Sequence, residues 1–131
     1  MSAEVAVRAA VIAALRGDVT LMDQMNGLYD GEPARAAPPY GVVGECLGAD
    51  WGGKDIEGRE LRLTIGLVAA DETPARLGGM IARVEPAIGA AGVADGWRIV
   101  SARLLRSRVA RSGAGGWRAS VDYRLRVVRE G

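Results

Sequence analysis

The chain's closing stretch reads Trp117-Arg118-Ala119-Ser120-Val121-Asp122-Tyr123-Arg124-Leu125-Arg126-Val127-Val128. Every odd position from 117 to 127 is apolar, and every even position up to 126 is polar or charged. A period of two sends successive side chains to opposite faces, so the stretch predicts a half-buried β-strand. Trp117, Val121, Tyr123 and Leu125 define its core face; Arg118, Arg124 and Arg126 define the other. Such a strand needs a second layer over its apolar side. Immediately upstream, residues 97–109 predict its hairpin partner, joined to it by Gly113-Ala114-Gly115-Gly116. Trp97 and Trp117 begin these two strands and are expected to belong to the core, pairing across the sheet.

Further back, residues 3–16 predict a helix with Val5, Ala9, Ile12 and Leu15 on the buried stripe and Val11 beside them. Glu4 and Arg16 suit the two ends of its dipole, and Gly17 ends it. Asp18 caps a short second helix through Met25, with Leu21, Met22 and Met25 inward. Residues 28–39 carry Pro33, Pro38 and Pro39, which force extended or turn backbone. A strand over 40–47 follows, with Tyr40, Val42 and Cys46 on one side. Residues 48–58 read as a glycine-rich flexible loop around Trp51. A strand over 59–68 then buries Leu61, Leu63, Ile65 and Leu67.

Thr73-Pro74 supplies a hydroxyl cap and a proline at the first helical position. Leu77, Ile81, Val84 and Ile88 then form one helix face, which Pro86 is expected to kink or shorten. Gly78-Gly79 implies a close helix contact there. The predicted order is ααββαββ: an α+β fold in which a four-stranded, mainly antiparallel sheet carries helices on one face. Residues 1–131 are expected to form one domain, without repeats.

Composition bounds the chemistry. The sequence has no histidine, so the commonest metal ligand and general base are missing. Cys46 is the single cysteine, which excludes an intramolecular disulfide and a cysteine-based metal site; it is expected to be a small buried hydrophobe. The glycine clusters lack the strand-to-helix setting of a phosphate loop. The loop acids Asp50, Asp55 and Glu57 lack calcium-loop spacing. No catalytic residue, metal site or cofactor is expected, and the chain does not read as an enzyme. No apolar run approaches a membrane span, and Met1-Ser2-Ala3-Glu4 lacks a basic leader, so a cytoplasmic protein is expected.

Charge is the remaining signal. Residues 97–131 hold nine arginines against Asp122 and Glu130, a net of +7. Residues 1–96 hold eight basic groups against fourteen acids, a net of −6. The arginine face has three readings. It is a nucleic-acid patch lacking stacking aromatics, a solvated sheet face, or an inter-subunit face pairing with a neighbour's Asp50, Asp55, Glu57 or Glu60. Trp51, large and aromatic in a glycine-rich charged loop, is either an interface anchor or tucked locally. The candidate interface residues are Asp50, Trp51, Lys54, Asp55 and Glu57 of the loop, with Arg118, Arg124 and Arg126 of the last strand.

An ordered set of landmarks gives a family resemblance. An alanine-rich helix and a short capped helix lead to Leu28-Tyr29-Asp30-Gly31-Glu32-Pro33. Pro39-Tyr40-Gly41-Val42-Val43-Gly44-Glu45 follows, then the glycine-rich loop with Trp51, Leu61-Arg62-Leu63-Thr64-Ile65, an alanine- and arginine-rich helix, and two long strands. This order resembles the tail terminator (tail completion) family of long-tailed phages and gene transfer agents across nearly the whole chain. The resemblance implies a structural virion subunit that forms a ring, a hexamer in related proteins. Such a ring caps the tail tube, ends its growth and joins the tail to the head connector. The implied partners are other copies of the chain, the tail tube protein, the head–tail connector and double-stranded DNA passing through the lumen without specific binding. Assembly in the bacterial cytoplasm and a place at the particle's neck follow from it, with no membrane. A cytoplasmic nucleic-acid-binding module using the arginine face is the alternative.

Overall fold

The structure is a computed structural model that describes residues 2–113 and 115–129. Ala114, in the predicted hairpin turn, and Glu130, counted in the charge balance, lie outside the described residues. The elements are α1 (Ala3–Arg16), α2 (Val19–Met22), β1 (Leu28–Asp30), β2 (Tyr40–Asp50), β3 (Glu57–Ala69), α3 (Ala75–Gly89), β4 (Arg98–Arg111) and β5 (Trp117–Arg129). They build an α+β fold around one five-stranded mixed sheet in the order β1-β2-β3-β5-β4.

The sheet has five strands rather than four, and the element order is ααβββαββ. The added strand, β1, pairs parallel to β2, with Leu28, Tyr29 and Asp30 opposite Gly41, Val42 and Val43. Three residues are too few to display a period, and the prolines after it read as loop. Tertiary contacts make the strand. Leu28 is buried, and Arg8 of α1 donates to the carbonyls of Val43 and Gly44 while its Nε lies 2.6 Å from Asp30 Oδ1. One guanidinium thus ties helix, edge strand and β2 together.

Strands β3 and β5 lie side by side over their whole lengths, Glu57 opposite Arg129 and Ala69 opposite Trp117. Their inward residues are the predicted ones. Leu61, Leu63, Ile65 and Leu67 of β3 meet Val121, Leu125 and Val127 of β5, all fully buried, with Tyr123 beside them. Removing each such side chain from water stabilises the fold by about 1.5–3 kcal/mol. Helices α1 and α3 cover this face with Val7, Val11, Leu15, Leu77, Met80, Val84 and Ile88.

Helix α1 sits rotated from its predicted register. Val5 is 57% exposed and Ala9 faces solvent, while Ala3, Val7, Val11 and Leu15 make the stripe at spacings of four. In an alanine-rich helix several faces are apolar enough to bury; the one turned inward carries Val7, Val11 and Leu15, and Glu4 pairs with Arg59 of β3 (2.7 Å) beside it. Gly48 belongs to the same fit: a Cβ there would run into the Glu4 carboxylate.

Other boundaries moved. Helix α2 ends at Met22, capped by Asp18 as expected. In α3 Pro74 occupies the cap position without a side-chain bond, so Thr73 does not cap the helix. Pro86 neither breaks nor shortens α3, which continues to Gly89; Ala82 and Pro86 are exposed, so water can take the unpaired Ala82 carbonyl. Gly78 meets nothing within 4 Å and Gly79 meets only Gln24, so the expected close helix packing is absent. A bulge after Val43 places Cys46 with Val43 on the helix side, opposite Tyr40 and Val42. Trp97 is buried, but Trp117 is half-buried and the two do not pair. In an antiparallel hairpin the strand starts lie at opposite ends. Arg129 stacks on Trp97 at 4.3 Å, and Arg111 on Trp117 at 4.8 Å.

Candidate interaction surface

The sheet's second face, turned away from α1 and α3, carries the charged positions. On β3 these are Glu60, Arg62 and Thr64; on β5 they are Arg118, Asp122, Arg124 and Arg126. Register decides how they meet. Glu60 stands opposite Arg126, and its Oε1 lies 3.4 Å from Arg126 Nε and 3.5 Å from Arg124 Nε. Thr64 stands opposite Asp122 and donates to Oδ1 at 2.6 Å, while Arg106 of β4 donates to Oδ2 at 3.0 Å. The Thr64 hydroxyl first, and then Arg106, hold the Asp122 carboxyl below its ordinary range against the opposing pull of burial. Glu45, Leu47, Arg62 and Leu105 surround this triad and make a shallow hollow on the sheet.

The predicted interface residues separate into three places. Trp51 lies at the end of the β2–β3 turn beneath Arg126, whose Cζ is 5.1 Å from the ring, and stays 40% exposed. Lys54 and Asp55 are exposed in that turn, and Asp50 sits exposed at the end of β2. The flexible segment expected over 48–58 is therefore a shorter connection, 51–56, between extended strands. Glu57 belongs to β3 and pairs with Arg129 at 2.9 Å on the helix side. Arg118 lies eight residues along β5 from Arg126, roughly 27 Å at the strand rise, and pairs with Glu32 at 3.3 Å. The structure joins Trp51, Arg124 and Arg126, and leaves Arg118 apart from them.

This arrangement bears on the inter-subunit reading of the acids. Glu57 and Glu60, considered as partners for a neighbour's arginines, are engaged by Arg129, Arg124 and Arg126 of their own chain. Glu57 with Arg129 and Glu60 with Arg126 are direct cross-strand neighbours, about 5 Å apart. Sequence inspection missed the surface that is left. Strand β4 exposes Val100, Leu104, Leu105 and Val109, and its Arg103 and Arg108 have no ion pair among the described residues. The available signal was the adjacent Leu104-Leu105, which breaks strict alternation inside an acid-free arginine run.

Little here resembles chemistry. Among the described residues, no three metal-ligating side chains cluster. Burial pushes the Cys46 thiol up, away from the reactive thiolate. Among the described residues, no helix is long and apolar enough to cross a membrane.

The class these features define is a one-sheet α+β module whose polar groups pair largely with one another. Residues 9–128 match the family of tail completion protein gp17, and the chain belongs to that family. The fold superposes on a chain of the virion of a native gene transfer agent particle with a TM-score of 0.84 and 28% identity, covering 98% of this chain and 99% of that one. A second solved structure, the bacteriophage SPP1 gp17 protein, matches with a TM-score of 0.67 and 17% identity over 94% of this chain and 89% of that one, and shares the fold. No curated protein sequence gives a significant match. The family is one of structural virion tail proteins, so the chain is a tail completion protein and not an enzyme.

Proposed function

We propose that this chain, acting over residues 1–131 as one unit, forms a closed ring that caps the tail tube and stops its growth. The ring then offers the surface that joins the tail to the head connector. Six copies is the stoichiometry implied by the tail terminators it resembles. Assembly takes place in the bacterial cytoplasm, and DNA passes through the lumen without being gripped. The observation that carries this reading is the end-to-end likeness to a chain of a gene transfer agent virion. The pairing on β5 supports it: Arg118 meets Glu32, and Arg124 and Arg126 share Glu60, so these three arginines are less available to phosphate than unpaired ones.

The test adds purified protein to tail tubes that lack a terminator and images them by negative stain. Rings in solution and tubes capped at one end are the expected result. A monomer at every concentration, with salt-sensitive DNA binding and no effect on tubes, would overturn the proposal in favour of a nucleic-acid-binding module.

A further inference from the structure

The sheet has two open edges, and they carry opposite charge. At one side, β4 pairs only with β5. Its residues Arg98–Arg111 include five arginines and no acid. Two register shifts, at Val100 and Leu105, bend it. Those two residues and Leu104 and Val109 stay 41–45% exposed at the margin of the helical layer, where α3 makes only slight contact with the strand. Long edge strands with exposed aliphatic groups are templates for pairing with another chain.

At the other side, β1 covers only Gly41–Val43 of β2, and Arg8 takes the carbonyls of Val43 and Gly44. Residues 45–50 have no strand beyond them. That edge carries Glu45 and Asp50, neither in an ion pair among the described residues, and Leu47 at 56% exposure. Asp55 follows in the adjoining turn.

We propose that these edges meet between copies: β4 of one subunit adds to the 45–50 edge of the next. This deepens the ring reading and rests on it. The two edges lie at opposite ends of one sheet, so the contact is heterologous and repeats in one direction, as a closed ring requires. Strand β2 is antiparallel to β3, β3 to β5 and β5 to β4. A copy carried round the ring without inversion therefore presents β4 antiparallel to β2. The rungs give the level. Asp50 aligns through Arg59 and Val127 with Ile99, and Leu47 through Arg62 and Arg124 with Arg103. Arg103 of one copy thus stands level with the Glu45–Asp50 edge of the next, and Leu47 and Leu105 share the outer face. Each chain brings both halves of the charge pair, which is why the occupant is a second copy rather than a different protein.

Two variants test the contact: Arg103→Glu, and Glu45→Arg combined with Asp50→Arg. Sedimentation velocity should show each alone at least tenfold weaker in assembly than the parent chain, with unchanged far-ultraviolet circular dichroism. Mixed in equal amounts, they should assemble again, because each then meets an edge of opposite sign. As a check independent of charge reversal, Leu47→Cys with Arg103→Cys in a Cys46→Ser background should oxidise to a ladder of covalent oligomers. Rings from both variants, or products no larger than dimers from ring-forming protein, would overturn the edge contact and leave the ring standing. A parent chain that never forms rings would overturn both.

Discussion

Strands β5 and β4 are hairpin partners of similar length and similar arginine content, yet they end in opposite situations. β5 lies inside the sheet, between β3 and β4. Its alternate residues are buried against α1 and α3, and its outward arginines meet acids of its own chain. β4 lies at the edge, where Arg106 meets Asp122, Arg103 and Arg108 have no ion pair among the described residues, and four aliphatic side chains stay 41–45% exposed. Composition does not separate them; position does. A strand with a neighbour on both sides has its charges answered by register. A strand with one neighbour keeps half its backbone and most of its side chains for something outside the molecule.

The largest expected effect breaks the comparison at its core. Leu125→Ala should cost about 2–5 kcal/mol in urea unfolding, because it leaves a cavity under the helices. Leu104→Ala, on the half-exposed edge strand, should stay within about 0.5 kcal/mol. Equal losses would show that α3 covers both strands alike.

Next comes Arg126→Glu. It places a like charge opposite Glu60 and removes the cation above Trp51, so it should destabilise the monomer by about 1 kcal/mol or more. Arg103→Glu should leave the melting temperature unchanged while weakening assembly. A variant of Arg126 that folds normally and only fails to assemble would return β5 to the intermolecular surface.

The pH dependence separates the strands a third way. Asp122 and Glu4 have folded-state pKa values held below their ordinary ones, the first chiefly by Thr64 and the second chiefly by Arg59. Their contribution is complete above the unfolded values near pH 4 and is lost as pH falls through the folded ones. Thr64→Val removes the leading donor, so the Asp122 titration followed by NMR should move upward and acid unfolding should begin at higher pH. An unmoved Asp122 midpoint would assign its depression to Arg106 of β4 instead.

The smallest effect belongs to Trp51. Trp51→Ala loses an exposed cation–π contact of about 0.5–1 kcal/mol and little buried area. Its monomer melting temperature should barely change, while docking on tail tubes should weaken if the ring face includes this turn. Unchanged capping by this variant would confine the assembly surface to the strand edges.

Much of this was legible along the chain. The alternation in 117–127 and in 61–67 named the central strands and their buried faces, because a two-residue period survives any arrangement of neighbours. The Leu77-to-Ile88 spacing named α3 for the same reason. The Asp18 cap was readable because it is local. The charge split at residue 96 was visible too, and it pointed toward assembly.

The strand count, the rotation of α1 and the pairing of the arginines were not legible. β1 exists only because Leu28 and Asp30 find β2 and Arg8, and three residues carry no period of their own. The inward face of α1 depends on which of its apolar residues fit the sheet and α3, with Glu4 meeting Arg59, fifty-five residues away. The fate of Arg124 and Arg126 depends on which residue of β3 stands across from them, and bulges within β4 decide which of its leucines face out. The sequence by itself determined which residues of the two central strands leave water, since that follows from side-chain chemistry and a strict local period. Only the tertiary structure decided which charges are already answered and which edges remain open, since both depend on long-range register.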